Sequence, residues 1–404
     1  MNYLSSKFNF ERGENDLAKI LTESKTLPNF IDLTSSNPTS LFVYDLDLIQ
    51  SAFINPSIIS YKPDPQGLKE TRLALVDYYQ KKGRLMDVDQ FFLTSGTSEA
   101  MSFILKTICD TGSEVLVPTP GYPLYDFLLV MENVKSVNYS LVPRLTESQN
   151  KLIWEIDFEI LERNINRNTK AIIIVEPNNP TGSRLTVSDS KKLVDLCQQK
   201  NLVLIVDEVF SDYYKEYYLS QPFTKANCIF LNGISKTLAL PQMKLSWMYL
   251  SGEPEFVAQL KEGLEIVADS FLSVNMPVQL GLGKLLEGAE KIQSQIRERI
   301  YTNCTRVKQL LKSHTEIDFF LPDGGWYLLL KINTFSDDEE FACKLLKNNI
   351  TYVFPGYMFD LEKDCFIVIS LIVPEEIFEE GIKRIIRFTQ ESKQDLPQSN
   401  KKYH

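Results

Sequence analysis

The sequence predicts an α/β fold: a mostly parallel sheet flanked by helices, followed by a smaller α+β unit. Three observations predict it. Between about residues 67 and 250, short apolar runs alternate with helical patterns. Strands buried on both faces read as continuous apolar runs, and their parallel pairing needs helical crossovers. The polar ends of these runs are rich in Gly, Asn, Asp, Ser and Lys, and ligands of open α/β sheets sit beyond the carboxyl ends of the strands. After about residue 285 the pattern changes to a long polar helix and scattered strands.

In chain order, residues 1–45 read as an N-terminal segment that packs with the smaller domain, and 46–285 as the large domain. Residues 67–83 form a helix there, with Leu68, Leu75, Val76 and Tyr79 on one face. Strands follow at FFLTSG (91–96), EVLVP (114–118), AIIIVEP (171–177), LVLIVDEVF (202–210), CIFLNGISK (228–236) and KLSWMYLSG (244–252). Helical stretches at 98–109 and 187–200 lie between them. The smaller domain, 286–392, holds a polar helix at 286–312, strands in DGGWYLLLKI (323–332) and CFIVISLI (365–372), and a helix at 375–392. Residues 393–404 are polar and read as a flexible tail.

Composition narrows the function. The 404 residues include 43 basic and 53 acidic ones, a net charge of −10, with 44% apolar and 24% charged residues. Those are globular values, and an acidic chain without a dense basic cluster is a poor binder of nucleic acid or anionic membrane. Apolar runs such as 127–131 and 202–206 are five residues long, far short of the roughly 20 a spanning helix needs. The opening MNYLSSKFNFERGEND has no apolar core of a secretory signal. Six cysteines without a CxxC pair then read as reduced, mostly core thiols in a cytoplasm. His314 and His404 are the only histidines, so metal sites and histidine triads have almost no residues to draw on. Any hard chemistry falls to Lys, Asp, Tyr or a cofactor.

Each candidate residue has an ordinary reading beside a chemical one. Lys236, after Ser235 at a strand end, is a solvated surface lysine or, if desolvated, a Schiff-base nucleophile. Asp207 ends LVLIV and is a helix cap or an anion set against a protonated pyridine nitrogen. Asn178-Asn179-Pro180-Thr181-Gly182 is a turn, or a turn whose Asn donates to a phenolate oxygen. Gly96-Thr97-Ser98 opens a helix after a strand, as a cap or as a phosphate seat. Tyr122 is a turn aromatic or a plate stacked on a flat ring.

Taken together and in order, these motifs resemble the class I/II aminotransferases, pyridoxal 5′-phosphate enzymes of fold type I. The match runs through Asn37-Pro38, YKPDPQGLKETR (Tyr61, Gly67, Arg72), TSGTSEA, PTPGYPLY, PNNPTG, DEVF, SK, GGWY and FPGYMF. Asp207 lies 28 residues after Asn179, and Lys236 a further 29 on. The resemblance implies a seven-stranded-type large domain that binds the cofactor. It makes Lys236 the lysine that forms the Schiff base and shuttles the proton, and Asp207 the partner of the ring nitrogen. Asn179 becomes the donor to the ring oxygen and Tyr122 the stacking aromatic. Gly96, Thr97, Ser98, Ser235 and Lys244 fall to the cofactor, mostly its phosphate. Tyr61 is implied to reach the phosphate of a neighbouring subunit, which makes a homodimer with shared sites. Asn37 is a substrate candidate.

Four departures from the family pattern stand out. Phe210 replaces the tyrosine usual three residues after the aspartate, Gly233 a serine three before the lysine, and Lys244 an arginine eight after it. Val368 stands where an arginine usually clamps the α-carboxylate. Arg184, two residues past NPTG, is the nearest alternative cation. The expected function is transamination between an amino donor and a keto acid or aldehyde. The alternatives are a β-eliminating lyase of the same fold and a non-catalytic cofactor-binding regulator.

Overall fold

The computed structural model describes residues 3–8, 15–146, 151–214, 223, 225–272, 274–361 and 364–394. Among the described residues the chain forms two compact units, one of residues 3–8, 38–297 and 323–325, the other of residues 15–37, 298–322 and 326–394. The division falls at 37/38 and, within the helix Ala289–Leu311, at 297/298. The sequence reading draws it at 45/46 and 285/286. Most of the tail expected from residue 393 lies outside the described residues, past the helix Glu375–Gln394.

The large unit is built on one eight-stranded sheet. Its spatial order is Phe91–Thr94, Ser246–Ser251, Cys228–Gly233, Val203–Asp207, Thr169–Val175, Glu114–Thr119, Lys135–Thr146, Lys151–Ile156. Pairings from Cys228–Gly233 across to Lys135–Thr146 are parallel. Those at the two ends are antiparallel. The implied seven strands become eight because Lys151–Ile156 folds back on the end of Lys135–Thr146. That pair is quiet in the sequence, since edge strands facing water dilute their apolar residues with polar ones such as Lys135, Ser136 and Arg144.

Alternation along the central strands sorts their side chains onto two faces. Phe92, Val115, Ile173, Ile205, Ile229, Leu231, Met248 and Leu250 share one core with Met101, Ile104 and Leu105 of the helix Thr97–Ile108 and Leu264 of Pro254–Phe271. Local chemistry sets the helix ends. Thr186 caps Val187–Lys200 by accepting from Asp189 N at 3.0 Å, and Asn201 stops it in the left-handed region at φ 53°. After Glu114–Thr119 the chain builds Lys135–Thr146 on one side; after Thr169–Val175 it builds Val203–Asp207 on the other. The sheet order reverses between those two strands, and such a reversal opens a crevice at the strand ends.

In the smaller unit, Ile317–Phe320, Tyr327–Ile332, Phe366–Ser370 and Phe354–Pro355 form an antiparallel sheet. Ile367, Ile369, Leu371, Leu328 and Leu330 face a core shared with Phe341, Leu345, Phe378 and Ile382. No helix among the described residues is long and apolar enough to cross a membrane.

Candidate active site

Lys236 stands on a single helical turn, Ile234–Thr237, that continues directly from Cys228–Gly233. The turn is pinned from behind. Tyr213 donates its hydroxyl to Lys236 O at 2.6 Å, and Gln293 Nε2 donates to Thr237 O at 2.9 Å. The amine is 5.3 Å from the centroid of the Phe210 ring. Burial strips water from the ammonium and pushes its pKa down to about 8, against the opposing field of Asp207.

Asp207 ends its strand inside the protein. Tyr125 donates its hydroxyl to Oδ2 at 2.7 Å, and Val209 N–H donates to Oδ1 at 3.1 Å. Burial raises the carboxyl pKa, while these two donors and Lys236 pull it down. Asp207 is thus a turn residue as well: one oxygen accepts from its own turn while the other accepts from a buried phenol. The neighbouring Glu208 is also buried and pairs with Arg84 at 2.8 Å.

Asn179 sits in a loop that bonds to itself. Asn178 Oδ1 accepts from Thr181 Oγ1 at 2.7 Å, and Gly182 N–H donates to Asn178 O at 2.8 Å. The turn reading therefore accounts for Asn178, Thr181 and Gly182. It does not account for Asn179, whose Oδ1 is buried without a hydrogen-bond partner. Such an atom costs free energy until something pairs with it.

Helix Thr97–Ile108 begins behind Gly96, which offers no side-chain cap, so the first-turn N–H groups near Thr97 and Ser98 are open to a ligand. A Cβ built on Gly96 would lie 3.5 Å from Lys244 Nζ, so the ammonium reaches the same helix start. Lys244 itself takes the left-handed region, at φ 53°. Ser235 is half-buried beside Lys236. Tyr122 meets Tyr125 edge-on, with ring centroids 6.2 Å apart, which places it next to the Asp207 partner.

Tyr61 is exposed. Arg184 is exposed and lines a cavity of about 10 Å³ with Tyr139, Trp154 and Glu176. Asn37 and Val368 belong to the smaller unit. Val368 is fully buried in Phe366–Ser370, opposite Leu329 and Phe354, on the face turned away from that unit's core.

Several working residues went unread in the sequence. Tyr125 was findable, since it falls three residues after Tyr122. Tyr213 bonds a backbone oxygen, a contact that leaves no pattern in the sequence. Glu176 is a buried acid at a strand end, its pKa raised by burial to about 8, and it accepts from Tyr214 at 2.6 Å and Leu185 N–H at 3.2 Å.

Comparison with known proteins places these features. The family model "Aminotransferase class I and II" matches residues 47–385. The "Glutamate-pyruvate aminotransferase AlaA" of Haemophilus influenzae is 28% identical over 343 residues, covering 82% of this chain and 83% of that protein. An alanine aminotransferase of Mycobacterium tuberculosis is 27% identical over 309 residues, covering 74% and 70%. Among solved structures, an Escherichia coli aminotransferase superposes with a TM-score of 0.82 at 25% identity, covering 96% and 98%. The alanine aminotransferase of Pyrococcus furiosus shares the fold, with a TM-score of 0.85 at 24% identity and coverage of 96% and 100%. The residues suit the cofactor such enzymes use: a buried amide at Asn179, a desolvated amine at Lys236, a donor-satisfied carboxyl at Asp207, and an open helix start with a cation at its mouth. The chain belongs to the class I and II aminotransferases, enzymes that transfer an amino group with pyridoxal 5′-phosphate.

Proposed function

We propose that Lys236 and Asp207 carry the transamination in this chain. The observation behind this is their pairing at adjacent strand ends, a desolvated amine in the field of a buried, hydrogen-bonded carboxyl. When bound, pyridoxal phosphate supplies the electrophilic carbonyl and the electron-withdrawing ring. Asp207 would hold the ring nitrogen, Asn179 the ring oxygen, and the Gly96–Thr97–Ser98 start with Ser235 and Lys244 the phosphate; Tyr122 would cover the ring. With its pKa pushed down to about 8, Lys236 Nζ is neutral far more often than an ordinary lysine, so it can take the substrate's α-proton and return it across the intervening nitrogen. Tyr213 keeps that amine in place by fixing its backbone. Phe210 sets an apolar ring where the family pattern has a phenol, so Asn179 is left as the main partner of the ring oxygen.

The substrate side is governed by Val368. The position that holds a carboxylate-clamping arginine in the family pattern carries an apolar side chain here, and its register neighbours Leu329 and Phe354 are apolar. The preferred donor therefore presents its amine beside an apolar or uncharged group, or another cation such as Arg184 holds its carboxylate, with Asn37 as a further contact. The enzyme works in the cytoplasm as a homodimer, on whose interface Ile54, Ile59 and the phosphate-reaching Tyr61 lie; these are 81%, 89% and 69% exposed in the single chain.

Borohydride reduction of the yellow protein, followed by peptide mapping, tests the core of this reading. The cofactor is expected on Lys236, and Lys236→Ala should lose the absorption band. Labelling of another lysine overturns it. An amino-donor screen read by the same absorbance identifies the substrate, and sedimentation of the active protein as a monomer would remove the dimer.

A further inference from the structure

The phosphate seat lacks a hydroxyl at Gly233, yet the structure places another in the same spot. Gly233 ends its strand at φ −175° and ψ 163°, an extended conformation open to any residue. Its backbone therefore does not require glycine. What requires it is Ser246, its register partner across the sheet. A Cβ added at Gly233 would lie 2.8 Å from Ser246 Cβ and would overlap Ser246 Oγ. The serine hydroxyl fills the space a side chain at 233 would occupy.

That space faces the helix start. Ile229 and Leu231 of one strand, Met248 and Leu250 of the next, and Phe92 of the third all point into the core beneath the helix Thr97–Ile108. Continuing the same alternation to the end of the sheet puts Gly233, Ser246 and Thr94 on that face. Ser246 is register partner to both of the others. The helix begins just past this end, at Thr97 after Ser95 and Gly96, where the Lys244 ammonium also reaches. Ser246 is buried.

We infer that Ser246 donates its hydroxyl to the cofactor phosphate, taking over from the absent side chain at 233. The inference rests on the reading of Lys236 as the cofactor lysine. A hydrogen bond to a charged group is worth roughly a 10- to 100-fold change in affinity.

The test compares two probes on the cofactor-stripped full chain: pyridoxal phosphate, and pyridoxal, which has no phosphate. Ser246→Ala should weaken pyridoxal phosphate by at least about 10-fold and leave pyridoxal within about 2-fold. Gly233→Ser alone should clash and weaken both. Gly233→Ser combined with Ser246→Gly should move the hydroxyl across the strand pair and restore wild-type affinity for pyridoxal phosphate to within about 3-fold. Unchanged pyridoxal phosphate binding in Ser246→Ala overturns the inference, as does an equal loss for both probes. Failure of the double variant to recover while remaining folded by circular dichroism does the same. Lys236→Ala serves as the separate control. If it binds both probes as the wild type does, the reading of Lys236 fails, whatever Ser246 shows.

Discussion

Replacing Tyr125 with Phe removes one hydroxyl from a closed site and keeps the ring. The hydroxyl donates to Asp207 Oδ2 at 2.7 Å, and both residues are buried. Burial holds the Asp207 pKa above its usual 3.8. It holds the Tyr125 phenol well above 10, so Tyr125 remains a donor at every working pH. While Asp207 is protonated the lost bond is a neutral one, worth about 0.5–1.5 kcal/mol; once Asp207 ionises it is charge-assisted, worth about 1.5–3 kcal/mol. An acid whose pKa is higher in the fold than in the unfolded chain binds its proton more tightly in the fold. Its contribution to stability is therefore lost as pH rises from 3.8 through the folded value. The Tyr125 hydroxyl limits that loss. The gap between wild type and Tyr125→Phe must then widen as pH rises through the folded Asp207 value, by about 1 kcal/mol. Urea midpoints of the cofactor-free proteins, from about pH 4 to about pH 8, measure it. Other titrating groups such as Glu176 are common to both proteins and cancel. A gap that stays constant with pH, or is widest in acid, refutes the reasoning.

The Lys236 amine, with its pKa pushed down to about 8, should capture added cofactor faster as pH rises through that value, because only the neutral amine is a nucleophile; a stopped-flow rate that levels off well below pH 8 contradicts the burial argument. Val368→Arg places a guanidinium among apolar neighbours, so it should lower the urea midpoint and improve the Michaelis constant for glutamate about 10-fold. A wild type that already uses glutamate well, unaffected by Arg184→Ala, shows that some other group holds the carboxylate. In Gly324→Ala the new Cβ would meet Tyr214 Cδ1 at 2.6 Å and Pro177 Cγ at 3.0 Å, driving Tyr214 off Glu176. The expected cost is about 1–3 kcal/mol by denaturation, and an unchanged midpoint would mean that the tyrosine yields freely.

Features of this protein that depend on neighbours along the chain are legible in the order of its residues. Apolar runs such as LVLIV and AIIIV made the central strands, because a strand buried on both faces has no room for polar residues. Their polar ends carried Asn179, Asp207 and Lys236 in a spacing that already pointed to the chemistry. The edge pair Lys135–Thr146 and Lys151–Ile156 was illegible, since its water-facing residues break the apolar pattern. What only the tertiary structure decided depends on contacts between residues far apart in sequence. Tyr125 and Asp207 are 82 positions apart, Tyr213 and Lys236 are 23, and Glu176 and Tyr214 are 38. Gly233 shows the difference most plainly. In the sequence it is a missing hydroxyl; across the sheet it is the space that Ser246 fills, because antiparallel register brings residues thirteen apart to the same point. A linear pattern records which side chains alternate, but not which strand lies beside them.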